Sequence, residues 1–137
     1  MKAKILVTEL SHEELTDLLS TSLYGSSWFA AKYDKEVYKS LKIKNGDCFE
    51  EKLADMLLNG HKITIVDTMA EGESYSNKFV RLDGDCAEYE IGLNDILKTA
   101  SSKTGYELLK DVLSGEGDYF TADAFLQRVV FGKEIYG

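Results

Sequence analysis

Apolar side chains along this chain recur in short periodic runs, and the sharpest run follows a local helix-start signal. In Ser11-His12-Glu13-Glu14, Ser11 can accept from the amide of Glu14 while Glu14 reaches back to the amide of Ser11. Leu10 and Leu15 occupy the flanking staple positions, and Leu15, Leu18, Leu19 and Leu23 then line one face at helical spacing. A helix ending near Gly25 is predicted. Before it, the alternation and β-branched content of residues 3–8 predict an opening strand.

Residues 26–44 carry two patterns at once. Read as a helix capped by Ser26 or Ser27, they place Phe29, Tyr33, Val37 and Leu41 on one side, with Lys32, Lys35, Lys39 and Lys42 along a neighbouring stripe. Towards the end, Val37, Lys39, Leu41 and Ile43 alternate as in a strand. The expected order is helix first and strand second. Asn45-Gly46-Asp47 marks a turn. A helix over about 48–59 follows, with Phe49, Leu53, Met56 and Leu57 inward and Gly60 as its stop. Ile63, Ile65 and Val66 predict a strand, and residues 67–77 a polar loop.

Lys78–Leu82 and Ala87–Leu93 flank Asp83-Gly84-Asp85 as two arms of a hairpin, with Ala87, Tyr89, Ile91 and Leu93 sharing a face. Asn94 is the expected cap of a helix running to Ser114, with Gly105 a possible break and Ile96, Leu97, Ala100, Leu108, Leu109 and Val112 inward. Thr121 is the expected cap of a last helix that buries Phe125, Leu126, Val129 and Val130 and stops at Gly132. The pattern predicts a single α+β domain over residues 1–137, a small antiparallel sheet of three to four strands packed with four to five helices.

A hydrophobic fraction of 44% in 137 residues is ample for one core without metal or disulfide help. The net charge of −8 is uneven: residues 1–70 hold nine basic and eleven acidic side chains, residues 71–137 seven and thirteen. A negative field of this kind repels phosphate backbones and anionic membrane surfaces, and it suits a basic partner protein. No apolar run approaches the ~20 residues that span a bilayer, and the N-terminal apolar stretch is too short for a signal peptide. A cytoplasmic location is therefore expected, with Cys48 and Cys86 reduced and buried as small hydrophobes. Proline is absent, where average usage of ~5% would give about seven, so no slow prolyl isomerisation is expected in folding.

The motifs of common catalysts do not assemble. His12 lacks a second histidine four residues on, because position 16 is Thr, and both His12 and His61 are expected at the surface. Gly115-Glu116-Gly117 follows a helix and lacks the third glycine and the lysine of nucleotide loops, so it reads as a linker between helices. No cofactor or metal set is apparent. The lysines at 32, 35, 39 and 42, interleaved with Tyr33 and Tyr38, could bind RNA by charge and stacking, but Asp34 and Glu36 dilute them and no arginine is there to stack, so they read as a solvated face.

Asp83, Asp85, Glu88, Glu90 and Asp95 form an acidic run with no base between Leu82 and Leu97. It is either a solvated hairpin rim or a surface that imitates nucleic-acid phosphates towards a basic partner. As a calcium loop it fails, because Glu88 stands at the sixth position, where that loop requires glycine. Tyr24, Trp28 and Phe29 are a second candidate contact surface, the alternative being that they belong to the core.

The C-terminal stretch from Asp118 to Gly137, with Ala122-Asp123 and a Phe131-Gly132…Tyr136-Gly137 tail, resembles the ending of small acidic proteins carried by bacteriophages and integrative mobile elements of Gram-positive gut bacteria. The opening Ile5-Leu6-Val7-Thr8-Glu9-Leu10 before a capped leucine helix is similar too, as is the order of elements. That family has no assigned activity, so no catalytic residue carries over. The resemblance implies a mobile-element setting, in which small acidic proteins often block host machinery, CRISPR nucleases included. Two functions from different classes are thus carried forward. One is a non-enzymatic interaction module acting through its acidic surface on a basic host or element-encoded protein. The other is a small enzyme or nucleotide binder whose site assembles from loop Asp, Tyr and His residues.

Overall fold

A computed structural model describes residues 6–24 and 26–137, and within them the chain is an α+β fold of six helices and one four-stranded antiparallel sheet. Helix α1 (His12–Tyr24) starts at the expected capping box: the Ser11 amide donates to Glu14 Oε1 at 2.9 Å and the Glu14 amide to Ser11 Oγ at 3.1 Å. Leu10, Leu15, Leu18 and Leu19 are all buried, as the staple and the helical spacing require. The opening strand is not realised over residues 6–8, which pair with no strand; its remainder and the Gly25 stop lie outside the described residues.

The order within residues 26–44 is the reverse of the expected one. Strand β1 (Phe29–Lys32) comes first and helix α2 (Lys35–Lys39) second. Ser26 starts no helix; its Oγ accepts from the amides of Trp28 and Phe29, closing a turn into the strand. The helix cap is Asp34, whose carboxylate takes the amides of Glu36 and Val37. The four lysines therefore do not form one helical stripe: Lys32 stands on β1, Lys35 and Lys39 on α2, and Lys42 after it.

Helix α3 (Phe49–Leu58) buries Leu53, Met56 and Leu57, but Phe49 at its first position is 40% exposed, where an inward side chain was expected. Strands β2 (Ile63–Asp67), β3 (Phe79–Asp83) and β4 (Cys86–Ile91) complete a sheet in the order β1-β2-β4-β3. The β3–β4 hairpin turns on Gly84-Asp85, with Gly84 at a φ of 63° that favours glycine. Pairing slips between Phe79 and Arg81, leaving Val80 as a bulge on the edge strand. Phe29, Ile63, Ile65, Ala87, Tyr89 and Ile91 face the helices and are buried. Lys32, Thr64, Val66, Glu88, Glu90 and Arg81 stand on the opposite face, which none of the described helices covers.

Helices α4 (Leu93–Ala100), α5 (Lys103–Ser114) and α6 (Tyr119–Phe131) follow. The long helix expected over 94–114 is two, broken at Ser101-Ser102, before Gly105. Its cap is Gly92 in place of Asn94: Asp95 reaches back and takes the Gly92 amide at 2.8 Å. Likewise Asp118, and not Thr121, caps α6, accepting from the Thr121 amide at 3.0 Å. Helix α6 buries Ala122, Asp123, Phe125, Leu126, Gln127, Val129, Val130 and Phe131, and packs on α1, α4, α5 and β4. Among the described residues no helix is long and apolar enough to cross a membrane.

Gly105 sits in the first turn of α5, where a Cβ would run into the Thr99 carbonyl oxygen at the end of α4. Helix propensity alone would make Gly105→Ala stabilising by up to ~1 kcal/mol. The collision reverses the sign, so the variant is expected to lower the urea midpoint; a raised midpoint would show that the α4–α5 junction yields. Leu15→Ala or Leu18→Ala should cost ~2–5 kcal/mol by the same measurement, because both side chains are fully enclosed.

Candidate functional site

The acidic run does not stay together as one rim. Glu88 points to the uncovered sheet face yet is only 2% exposed, because two cations close over it. Arg81, directly opposite on β3, donates from Nε to Glu88 Oε1 at 2.9 Å. Lys32 reaches across β2 from β1 and donates from Nζ to Oε2 at 2.6 Å. The Lys32 hydrogen bond, then that of Arg81, holds the Glu88 carboxyl below the usual range for a glutamate, against the opposing pull of burial. Glu88 is thus an internal ion-pair hub and no part of an exposed rim. Asp95 is half-buried, with Oδ2 committed to the α4 cap, and Glu90 is exposed on the open face opposite Thr64.

Asp83 and Asp85 remain, both exposed at the hairpin tip. The fold adds two carboxylates that sequence reasoning missed. The amide of Gly72 donates to the Asp85 carbonyl at 3.2 Å, so the loop carrying Glu71 and Glu73 folds against the hairpin turn. Glu71, Glu73, Asp83 and Asp85 are all exposed, and none takes part in an ion pair of the described residues. Their sequence signal was the absence of any base between Lys62 and Lys78.

Tyr24, Trp28 and Phe29 do not form one surface. Phe29 is core, 6% exposed and stacked on Phe131 with ring centroids 5.7 Å apart. Trp28 is half-buried, its Nε1 donating to Asp123 Oδ1 at 2.8 Å and its ring 5.2 Å from that of Tyr136. Tyr24 alone is open, 83% exposed and 6.3 Å from the exposed Tyr119 ring.

The buried acids have structural partners. Asp55 accepts from the Tyr38 hydroxyl at 2.8 Å and from the amides of Asn45 and Gly46, and His12 Nε2 stands 3.0 Å from its Oδ1. Burial, then Asp55, pushes the Tyr38 hydroxyl up to about 12. His12, expected at the surface, is therefore half-buried and engaged, whereas His61 is exposed. Asp67 takes the Tyr136 hydroxyl at 2.7 Å and the Met69 amide at 2.9 Å. Burial raises Asp123, whose oxygens receive Trp28 Nε1 and Gln127 Nε2. Among the described residues no buried side-chain polar atom lacks a partner, and no three His, Cys, Asp or Glu side chains are grouped to hold a metal ion.

Neither cysteine is buried as expected. Cys48 is exposed at the start of α3, where Glu51 pushes its thiol up, and Cys86 is half-buried at the start of β4.

Glu88→Gln removes the charge between Lys32 and Arg81 and should cost ~1–2 kcal/mol at neutral pH, the low part of the charged-bond range because both cations are half in water. Because the folded carboxyl titrates below its unfolded value, its contribution is complete above about pH 4.3 and is lost as pH falls through the lower folded value. The stability gap between wild type and variant should therefore close on acidification. A gap that widens instead, in urea unfolding at stepped pH, would contradict the ion-pair assignment.

The chain matches no protein-family model, and neither the curated proteins nor the solved structures include a significant match to it.

Proposed function

We propose that this protein is a non-enzymatic interaction module of a phage or mobile element. In this reading it inhibits a host nucleic-acid-binding defence complex, such as a CRISPR nuclease, by occupying a basic surface. The observation that carries the reading is the unpaired acidic end of the sheet, where Glu71 and Glu73 join Asp83 and Asp85. Four carboxylates that no cation of the described residues engages keep their field for an external one. The mobile-element setting rests on the C-terminal resemblance and the opening segment.

The test begins with affinity capture from a Gram-positive host lysate, followed by association kinetics with the captured protein. Charges at a contact rim act mainly by steering encounter, and steering weakens as screening shortens to ~8 Å at physiological salt. Replacing Glu71, Glu73, Asp83 and Asp85 together by Ser should slow association on the order of tenfold at low salt and leave dissociation nearly unchanged. The variant should also lose most of the salt dependence. Equal association rates for wild type and variant would remove the acidic end as the contact surface.

A further inference from the structure

Against the negative charge of the whole chain, one groove gathers cations. A cavity of about 310 Å³ is lined by Lys78, Lys98 and Arg128 together with Thr99 and Asp95. A second, of about 400 Å³, adjoins it and shares Lys78, Asp95 and Lys98; Lys62, Asn77 and Glu90 complete its polar wall. The four cations come from four different segments: the approach to β2, the approach to β3, α4 and α6.

None of the ion pairs of the described residues engages Lys62, Lys78 or Lys98. Arg128 gives Nε and Nη2 to Glu134 and keeps Nη1. Asp95, which lines both cavities, already spends one oxygen on the Gly92 amide. Three lysines outside the ion pairs of the described residues, beside a guanidinium that shares two of its nitrogens with Glu134, make a cationic lining of the kind that binds a phosphate group.

We infer that this groove binds a small phosphorylated, hydroxyl-rich compound of the sugar-phosphate class. The cavity bounded by Lys78, Lys98 and Arg128 takes the phosphate. The adjoining cavity, with the exposed Asn77 amide and Glu90 carboxylate, takes hydroxyl groups, which pair well with amide and carboxylate oxygens. A nucleobase fits less well, because the one aromatic ring lining either cavity, Phe79, is half-buried and turned edge-on against Tyr89. The groove is distinct from the acidic end of the sheet, so the inference stands apart from the proposed function.

Calorimetric titration with ribose 5-phosphate, inorganic phosphate, ribose and a single-stranded oligonucleotide tests it. Ribose 5-phosphate should bind at millimolar or tighter dissociation constants, about tenfold better than inorganic phosphate, and ribose should give no heat. Lys78→Gln and Lys98→Gln should each weaken ribose 5-phosphate by about tenfold, the loss of one charge-assisted contact. Glu90→Gln should weaken ribose 5-phosphate and leave inorganic phosphate unchanged. Lys103→Gln, an exposed lysine outside both cavities, is the control for general charge and should change nothing.

No heat with ribose 5-phosphate at ~10 mM overturns the inference, as does a Lys103→Gln effect equal to that of Lys98→Gln. Equal affinity for inorganic phosphate and ribose 5-phosphate overturns the ligand class. An oligonucleotide that binds more tightly than ribose 5-phosphate, and loses that binding in Lys98→Gln, overturns the small-molecule assignment.

Discussion

Helix α6 is apolar almost all round, and the rest of the fold is arranged to enclose it. A helix of that kind can lie only in the middle of a domain. Helices α1, α4 and α5 and strand β4 accordingly pack on it. Its two buried polar side chains raise the demand further, since each must find partners inside. Asp123 finds Trp28, and Gln127 finds the amides of Ile135 and Tyr136 at 2.7 and 2.9 Å and the Tyr136 carbonyl at 3.0 Å. The C-terminal tail is thereby clasped to the helix that precedes it, and the Tyr136 hydroxyl fastens the tail to Asp67 on β2. Trp28 meanwhile fixes the entry to β1, next to the Asp67 that holds the tail, since Phe29 pairs with Asp67 across the sheet.

Charge is sorted by the same architecture. On the uncovered sheet face Glu88 is engaged by cations from strands β1 and β3, while Glu90 stays exposed beside that cluster. Carboxylates outside the ion pairs of the described residues collect at the hairpin end, and lysines outside them collect in the groove between β3, α4 and α6. A net charge of −8 therefore conceals two regions of opposite sign.

Local signals were legible in the sequence. The Ser11–Glu14 box and the leucine spacing after it involve residues within one or two turns, and the structure reproduces them. The alternation of Ala87, Tyr89 and Ile91 likewise placed β4. Caps were legible to within three residues: Gly92, whose amide Asp95 takes, and Asp118 stand where Asn94 and Thr121 were expected, because a carboxylate reaching an amide is decided by backbone geometry that composition does not reveal. Residues 26–44 failed because Phe29, Tyr33, Val37 and Leu41 fit a helical stripe, while pairing with β2, a partner over thirty residues away, decided for a strand. That single inversion hid the Glu88 cluster, since Lys32 on a helix has no route to β4. Asp83 and Asp85 were visible as an exposed tip; Glu71 and Glu73 joined them only through a loop contact with no local signature.

The bulge at Val80 bears on how this chain behaves when crowded. Strand β3 is an edge, its outer side paired with no strand of the described residues, and Val80 and Leu82 are substantially exposed along it. A flat edge of that composition is a template for sheet growth between molecules. The slipped register twists the strand out of line with an incoming partner, and Arg81 and Asp83 set charges on either side of Leu82. The irregularity in the hairpin therefore serves as a guard against aggregation, which a straighter and better-paired strand would lack.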